Sequence, residues 1–124
     1  MLKIGMELTL EKIVQKEETA KKVGSGGMEV FATPCLLALM ENAAYNLVQR
    51  EMEVGMTTVG IEANLKHLKA NLVGDKVICT AKLINIDGRK LEFEIIVKHN
   101  EVVVGSANHS RFIVNEEKFI SKLK

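Results

Sequence analysis

Three side chains in this sequence have the chemistry to act together on a carbonyl: the hydroxyl of Thr33, the carboxylate of Glu41 and the imidazole of His67. Glu41 lies within an apolar helical stretch, with Leu37 four residues before it and Ala44 and Tyr45 following on the same side. An unpaired carboxylate aimed at apolar surroundings has a raised pKa, the state a general base needs near neutrality. The competing structural reading puts it at the edge of the apolar stripe with its head in water. His67 continues the alternation of Val59, Ile61, Ala63 and Leu65, so regular strand geometry aims its ring inward. It then serves either as a partner for the carboxylate or as a hydrogen-bonded core histidine. Thr33 stands at a helix start, where capping alone explains a threonine. Function requires all three to converge: Thr33 attacks a carbonyl, or Glu41 activates a water, with His67 relaying protons.

Six further positions bear on such a site. The amides of Cys35 and Leu36, expected to be unpaired at the helix start, would stabilise an oxyanion together with the helix dipole. Gly60 would let a narrow ligand pass beside a strand, or would mark a bulge. Arg111 alternates with Gly105, Ala107 and His109; it would meet a phosphate, or the face it shares with His109 is simply solvated. Lys66 and Lys69 have similar standing as phosphate contacts. Eight residues of helix rise about 12 Å, so Thr33 and Glu41 meet only through an irregular first turn or across two chains.

The elements that must hold these groups follow from periodicity. Thr33-Pro34 starts a helix, with Thr33 as N-cap and Pro34 at the first helical position. Leu36, Leu37, Met40, Ala43, Ala44, Leu47 and Val48 then recur at three- and four-residue steps, and the helix ends near Glu53, before Gly55. From there the period is two. Val59 to Leu65 forms one strand; Val77, Cys79, Ala81 and Leu83 mark a second; Leu91, Phe93, Ile95 and Val97 mark a third; Val102 to Val114 forms a fourth. Asp87-Gly88 and His99-Asn100-Glu101 turn the second strand into the third and the third into the fourth, so these strands are antiparallel neighbours. Met6 to Val23 is expected to add one or two edge strands, Gly24 to Gly27 a flexible connection, and Glu116 to Leu123 a short closing helix. The whole predicts an α+β chain, a curved antiparallel sheet around one long helix, which is the hotdog architecture. Residues 1–124 form one domain, and its open sheet edge calls for pairing into a homodimer, with dimers of dimers an open option.

Composition narrows the function. The 17 Lys and Arg nearly cancel the 16 Asp and Glu, and aromatics are 4% of residues with no Trp, which argues against nucleic-acid binding. The charged N-terminal stretch has no apolar run suited to a signal peptide or membrane span, so a cytoplasmic protein is expected. Cys35 and Cys79 sit in apolar runs as free thiols, and the spacing of His67, His99 and His109 gives no zinc motif.

The sequence resembles the fluoroacetyl-CoA thioesterase-type family of hotdog proteins over nearly its whole length. The resemblance rests on Val23-Gly24-Ser25-Gly26, on Glu29 to Pro34 running into a helix that bears Glu41, on Thr57-Thr58-Val59-Gly60 and on His67-Leu68. Asp87-Gly88-Arg89 and the Gly105 to Arg111 strand extend it. It implies that Thr33, Glu41 and His67 are the catalytic set, that the substrate is an acyl-CoA held at a dimer interface with Gly60 near the acyl group, and that no cofactor is needed beyond the CoA of the substrate. It does not carry over a preference for fluoroacetate. The rival expectations are a non-catalytic acyl-CoA binding module and a hotdog hydratase or dehydratase.

Overall fold

A computed structural model describes residues 1–124. One 17-residue helix, α2 (Thr33–Gln49), lies against a five-stranded antiparallel sheet. The strands are β1 (Glu7–Ile13), β2 (Met56–His67), β3 (Lys76–Asp87), β4 (Lys90–His99) and β5 (Val102–Asn115), in spatial order β1-β3-β4-β5-β2. A 3-10 turn (Lys16–Glu18) and the short α1 (Ala20–Val23) follow β1, and α3 (Glu116–Ser121) closes the chain. The Met6 to Val23 segment thus supplies one edge strand and then turns helical, because Thr19 caps α1 through a bond from the Lys22 amide.

The core is the one that the two periodicities describe. Leu36, Leu39, Met40, Ala43, Ala44, Leu47 and Val48 of α2 are buried against Val77, Cys79, Ala81 and Leu83 of β3 and Leu91, Phe93, Ile95 and Val97 of β4. Each such large side chain contributes on the order of 2 kcal/mol when taken out of water. Gly105 lets the helix approach β5: a Cβ there would stand 2.8 Å from a Leu36 methyl. The turns are those expected. Gly88 has φ 61° at the β3–β4 hairpin, and Asn100 and Glu101 both take left-handed φ values, 49° and 67°, as a two-residue primed turn requires.

Three expectations about the elements are corrected. The N-cap is Ala32, not Thr33, which is the first helical residue; its hydroxyl is therefore released from capping. The helix ends at Gln49 rather than near Glu53, and Gly55, with φ 87°, turns the chain into β2 instead of terminating α2. The alternation read through Val59, Ile61, Ala63 and Leu65 is broken, because the β2–β5 register shifts between Gly60 and Glu62. Ile61 is the extra residue of a bulge and is 51% exposed. Before it, Thr58 and Gly60 face the helix; after it, Ala63, Leu65 and His67 do.

Strand β2 is one outer edge of the sheet. It is twelve residues long, and beside it Ile61 and Leu68 stay exposed. An edge of that length presents a row of unpaired backbone donors and acceptors ready for another strand.

Candidate active site

The candidate residues fall into two groups along the side of the molecule where α2 overlooks β2. Thr33, Leu37, Glu41 and Tyr45 succeed one another at four-residue steps, so they form one stripe of the helix. At its N-terminal end the Thr33 hydroxyl lies 2.8 Å from His67 Nδ1. This pair lines a groove of about 310 Å³ with Ala20, Ser25, Val30 and Phe31. Burial lowers the pKa of His67, opposed in part by the Lys69 backbone, so the ring is neutral near pH 7 and able to accept the threonine proton. Its other nitrogen, Nε2, is buried with no hydrogen-bond partner within the chain. A larger hollow of about 790 Å³ lies on the far face of the sheet, among Thr9, Ile78, Thr80 and Ile96, and contains none of these residues.

Two turns along α2, Glu41 belongs to a different cluster. Its side chain is 41% exposed and its Oε2 stands 3.9 Å from Arg111 Nη1, so its surroundings are polar and charged rather than the apolar ones expected. Gly60 faces it across the groove: a Cβ at position 60 would come within 2.9 Å of Glu41 Oε2 and 3.2 Å of the His109 ring. The φ of Gly60 is not left-handed, so glycine is required there for space alone. The bulge and the close approach, posed as alternatives for Gly60, occur together.

Arg111 and His109 correct a further expectation. Their face of β5 is not solvated: they are 7% and 3% exposed and point at the helix beside Gly105 and Ala107. The Arg111 guanidinium donates to the Thr58 hydroxyl at 2.8 Å, the Thr58 carbonyl at 3.1 Å and His109 Nε2 at 3.2 Å, and it lies 5.8 Å from the centre of the Tyr45 ring. These partners turn it toward Glu41 and leave it closed to a solvent-borne phosphate. His109 and Thr58 were the residues missed. The signal that could have found them is Gly105 and Ala107, small residues on the same face, which mark where a helix comes close.

The oxyanion reading of the helix start also changes. The Cys35 and Leu36 amides both donate to the Ala32 carbonyl, at 3.0 and 2.9 Å, so neither is free. What the helix start still offers a developing negative charge is the positive end of the α2 dipole. No three His, Cys, Asp or Glu side chains are grouped so as to hold a metal ion. No helix is long and apolar enough to cross a membrane.

Comparison with known proteins bears on the family and the fold. Residues 14–117 match the family model described as fluoroacetyl-CoA-specific thioesterase. The chain is 26% identical over 129 residues to the fluoroacetyl-CoA thioesterase of Streptantibioticus cattleyicolor, covering 99% of this chain and 93% of that one. It superposes with a TM-score of 0.90 on a mutant of a fluoroacetyl-CoA-specific thioesterase solved with fluoroacetate and CoA, at 27% identity over 95% of this chain and 99% of the other. A hot-dog-like protein from Thermanaerovibrio acidaminovorans shares the fold at a TM-score of 0.89 and 18% identity, over 97% of this chain and 89% of the other.

Proposed function

The chain belongs to the fluoroacetyl-CoA-specific thioesterase family of hotdog thioester hydrolases, and on that footing we propose that it hydrolyses a small or medium acyl-CoA at a site shared by two protomers. Thr33 and His67 of one chain supply the nucleophile and its base, and Glu41 of the partner, backed by Gly60 and Arg111, completes the set. The observation that carries this reading is the 2.8 Å contact between the Thr33 hydroxyl and a neutral, half-buried imidazole.

The chemistry follows from that contact. Thr33 Oγ1 attacks the thioester carbonyl and its proton passes to His67 Nδ1; the C–S bond breaks and the CoA thiolate takes that proton. Water then attacks the Thr33 ester, giving its proton to Nδ1. His67 returns that proton to Thr33 Oγ1 as the carboxylic acid leaves. For Nδ1 to accept, Nε2 must carry the hydrogen, and in an isolated chain that hydrogen has no acceptor. A carboxylate delivered from outside would hold the tautomer and stabilise the imidazolium, the role an acid plays in catalytic triads.

Strand geometry supports Glu41 of a second copy as that carboxylate. Two β2 edges pairing antiparallel about the middle of Ala63-Asn64 would set Gly60 of one chain opposite His67 of the other, both facing inward. Glu41 lies against Gly60 in its own chain, so it would arrive beside the partner's imidazole. The same pairing would cover Ile61 and complete the open edge. We place this dimer in the cytoplasm, with CoA entering as part of the substrate and no further cofactor.

Thiol release from acyl-CoA esters of increasing chain length tests the activity and its range. Thr33→Ala and Glu41→Gln should each abolish most of it. Mixing the two variants after unfolding and refolding should restore activity to about a quarter of wild type, since half the dimers are mixed and one of their two sites carries neither change. No restoration would place the whole set in one chain. Binding of acyl-CoA without thiol release by the wild-type chain would replace hydrolysis with the binding-module reading.

A further inference from the structure

The geometry points to His109 as a positioning residue that aims Glu41 by way of Arg111, a role that rests on the preceding reading of Glu41. A buried guanidinium keeps one orientation only if its fork of donors is met from fixed points. Thr58 holds one side of the fork, through its hydroxyl and its carbonyl. His109 Nε2, at 3.2 Å from Nη1, is the fixed point on the side that faces Glu41.

The direction of these bonds is determined. His109 Nδ1 lies 2.7 Å from the Glu62 carbonyl, which can only accept, so Nδ1 carries the hydrogen. Nε2 is then a lone pair, and Arg111 donates to it. Protonating His109 would remove that acceptor and set a second positive charge against the guanidinium. Each neighbouring element contributes to this arrangement. Arg111 on β5 opposes a charged imidazole and the Glu41 carboxylate on α2 favours one; the Glu62 carbonyl on β2 favours it as well, while burial disfavours it most of all. Tyr45 of α2 lies against the guanidinium, and Phe93 of β4 flanks the ring at 6.1 Å between centroids. His109 touches none of the groups that bind CoA or attack the carbonyl in the proposed reaction, so its removal is expected to act on turnover rather than on substrate affinity.

Hydrolysis of acetyl-CoA by the full chain tests the proposal. His109→Phe fills the space but offers no acceptor; it should lower kcat on the order of tenfold, the scale of one hydrogen bond to a charged group, with KM within about twofold. His109→Gln restores a neutral acceptor and should stay within about threefold of wild type. Because His109 acts through Glu41, adding His109→Phe to Glu41→Gln should cost nothing more. The acid limb of kcat should be less steep in His109→Gln than in wild type, one titrating group having been removed. A long-range proton–nitrogen spectrum should show the Nδ1–H tautomer at neutral pH. Wild-type kcat in His109→Phe, an equal loss in the Glu41→Gln background, or the Nε2–H tautomer would each overturn the proposal. If His109→Phe does not fold, an acid limb unchanged in His109→Gln does so. Unimpaired hydrolysis by Glu41→Gln sinks the reading of Glu41 and this one together. A slow Glu41→Gln beside a fast His109→Phe sinks this one alone.

Discussion

Gly60→Ala isolates the geometry of the carboxylate from its chemistry. The added methyl would stand 2.9 Å from Glu41 Oε2, 3.2 Å from His109 Cε1 and 3.4 Å from Arg111 Nη1. Ordinary contact begins near 3.4 Å, so the carboxylate oxygen must retreat by about 0.5 Å. His109 and Arg111 are buried and bonded on several sides, so the exposed Glu41 is the group that yields. A misplacement of about 1 Å costs roughly a hundredfold in rate, and half of that predicts about tenfold, or about 1.4 kcal/mol in the barrier. Stability should barely change. The atom displaced is the tip of a flexible chain, and alanine recovers about 0.5–1 kcal/mol of the strand cost of glycine. The melting temperature should therefore move by no more than about 4 °C. The assay is steady-state thiol release at a temperature where circular dichroism shows both proteins folded, with Glu41→Gln and the double variant alongside. The double variant should be no slower than Glu41→Gln. Full activity in folded Gly60→Ala, or losses that multiply in the double variant, would refute the claim that Gly60 is kept for room beside Glu41.

Other outcomes follow from the same structure. His67 has a pKa below its ordinary 6.5 because it is buried, so kcat/KM should stay level through neutral pH and fall only below that value, as the ring protonates. Stability should fall over the same range: below pH 6.5 the unfolded chain takes up the proton that the folded ring resists, and the loss continues down to the folded pKa. His67→Asn should remove most of the rate and make the acid limb shallower, leaving only the share that His109 contributes. Gly105→Ala drives a methyl to within 2.8 Å of Leu36 in the packed core and should cost about 1–3 kcal/mol, read as a lower denaturant midpoint. Cys79, fully buried with a pKa pushed up to about 12, should react with a thiol reagent only on unfolding, whereas the partly exposed Cys35 should be modified in the native protein.

What the sequence made legible is whatever one-sided burial writes into it. Every alternating apolar residue from Val77 to Leu83 and from Leu91 to Val97 is buried, as is most of the α2 stripe. Thr33 and His67 were legible as members of one set, but the partner expected for the imidazole was Glu41 and the role expected for Thr33 was capping; Thr33 is not the cap, and its hydroxyl turns to His67 instead. The bulge was not legible, since an inserted residue leaves no compositional mark and Ile61 prolongs a false alternation. The cluster around Arg111 was hidden for the opposite reason. Polar letters on a strand suggest water, and only the small residues beside them reveal that a helix lies overhead.

The extra residue in β2 makes that strand two short strands spliced out of phase. Ahead of the splice it shows the helix a threonine and a glycine, which seat the guanidinium and clear space for the acid; behind it the opposite set of positions turns the imidazole to the same side. Deleting Ile61 would restore a uniform ladder, and one half would then have to turn its working residues out to solvent. A single-codon deletion could thus disarm this protein while sparing its hydrophobic interior, and alignments that close a gap at this point would join residues that face opposite ways.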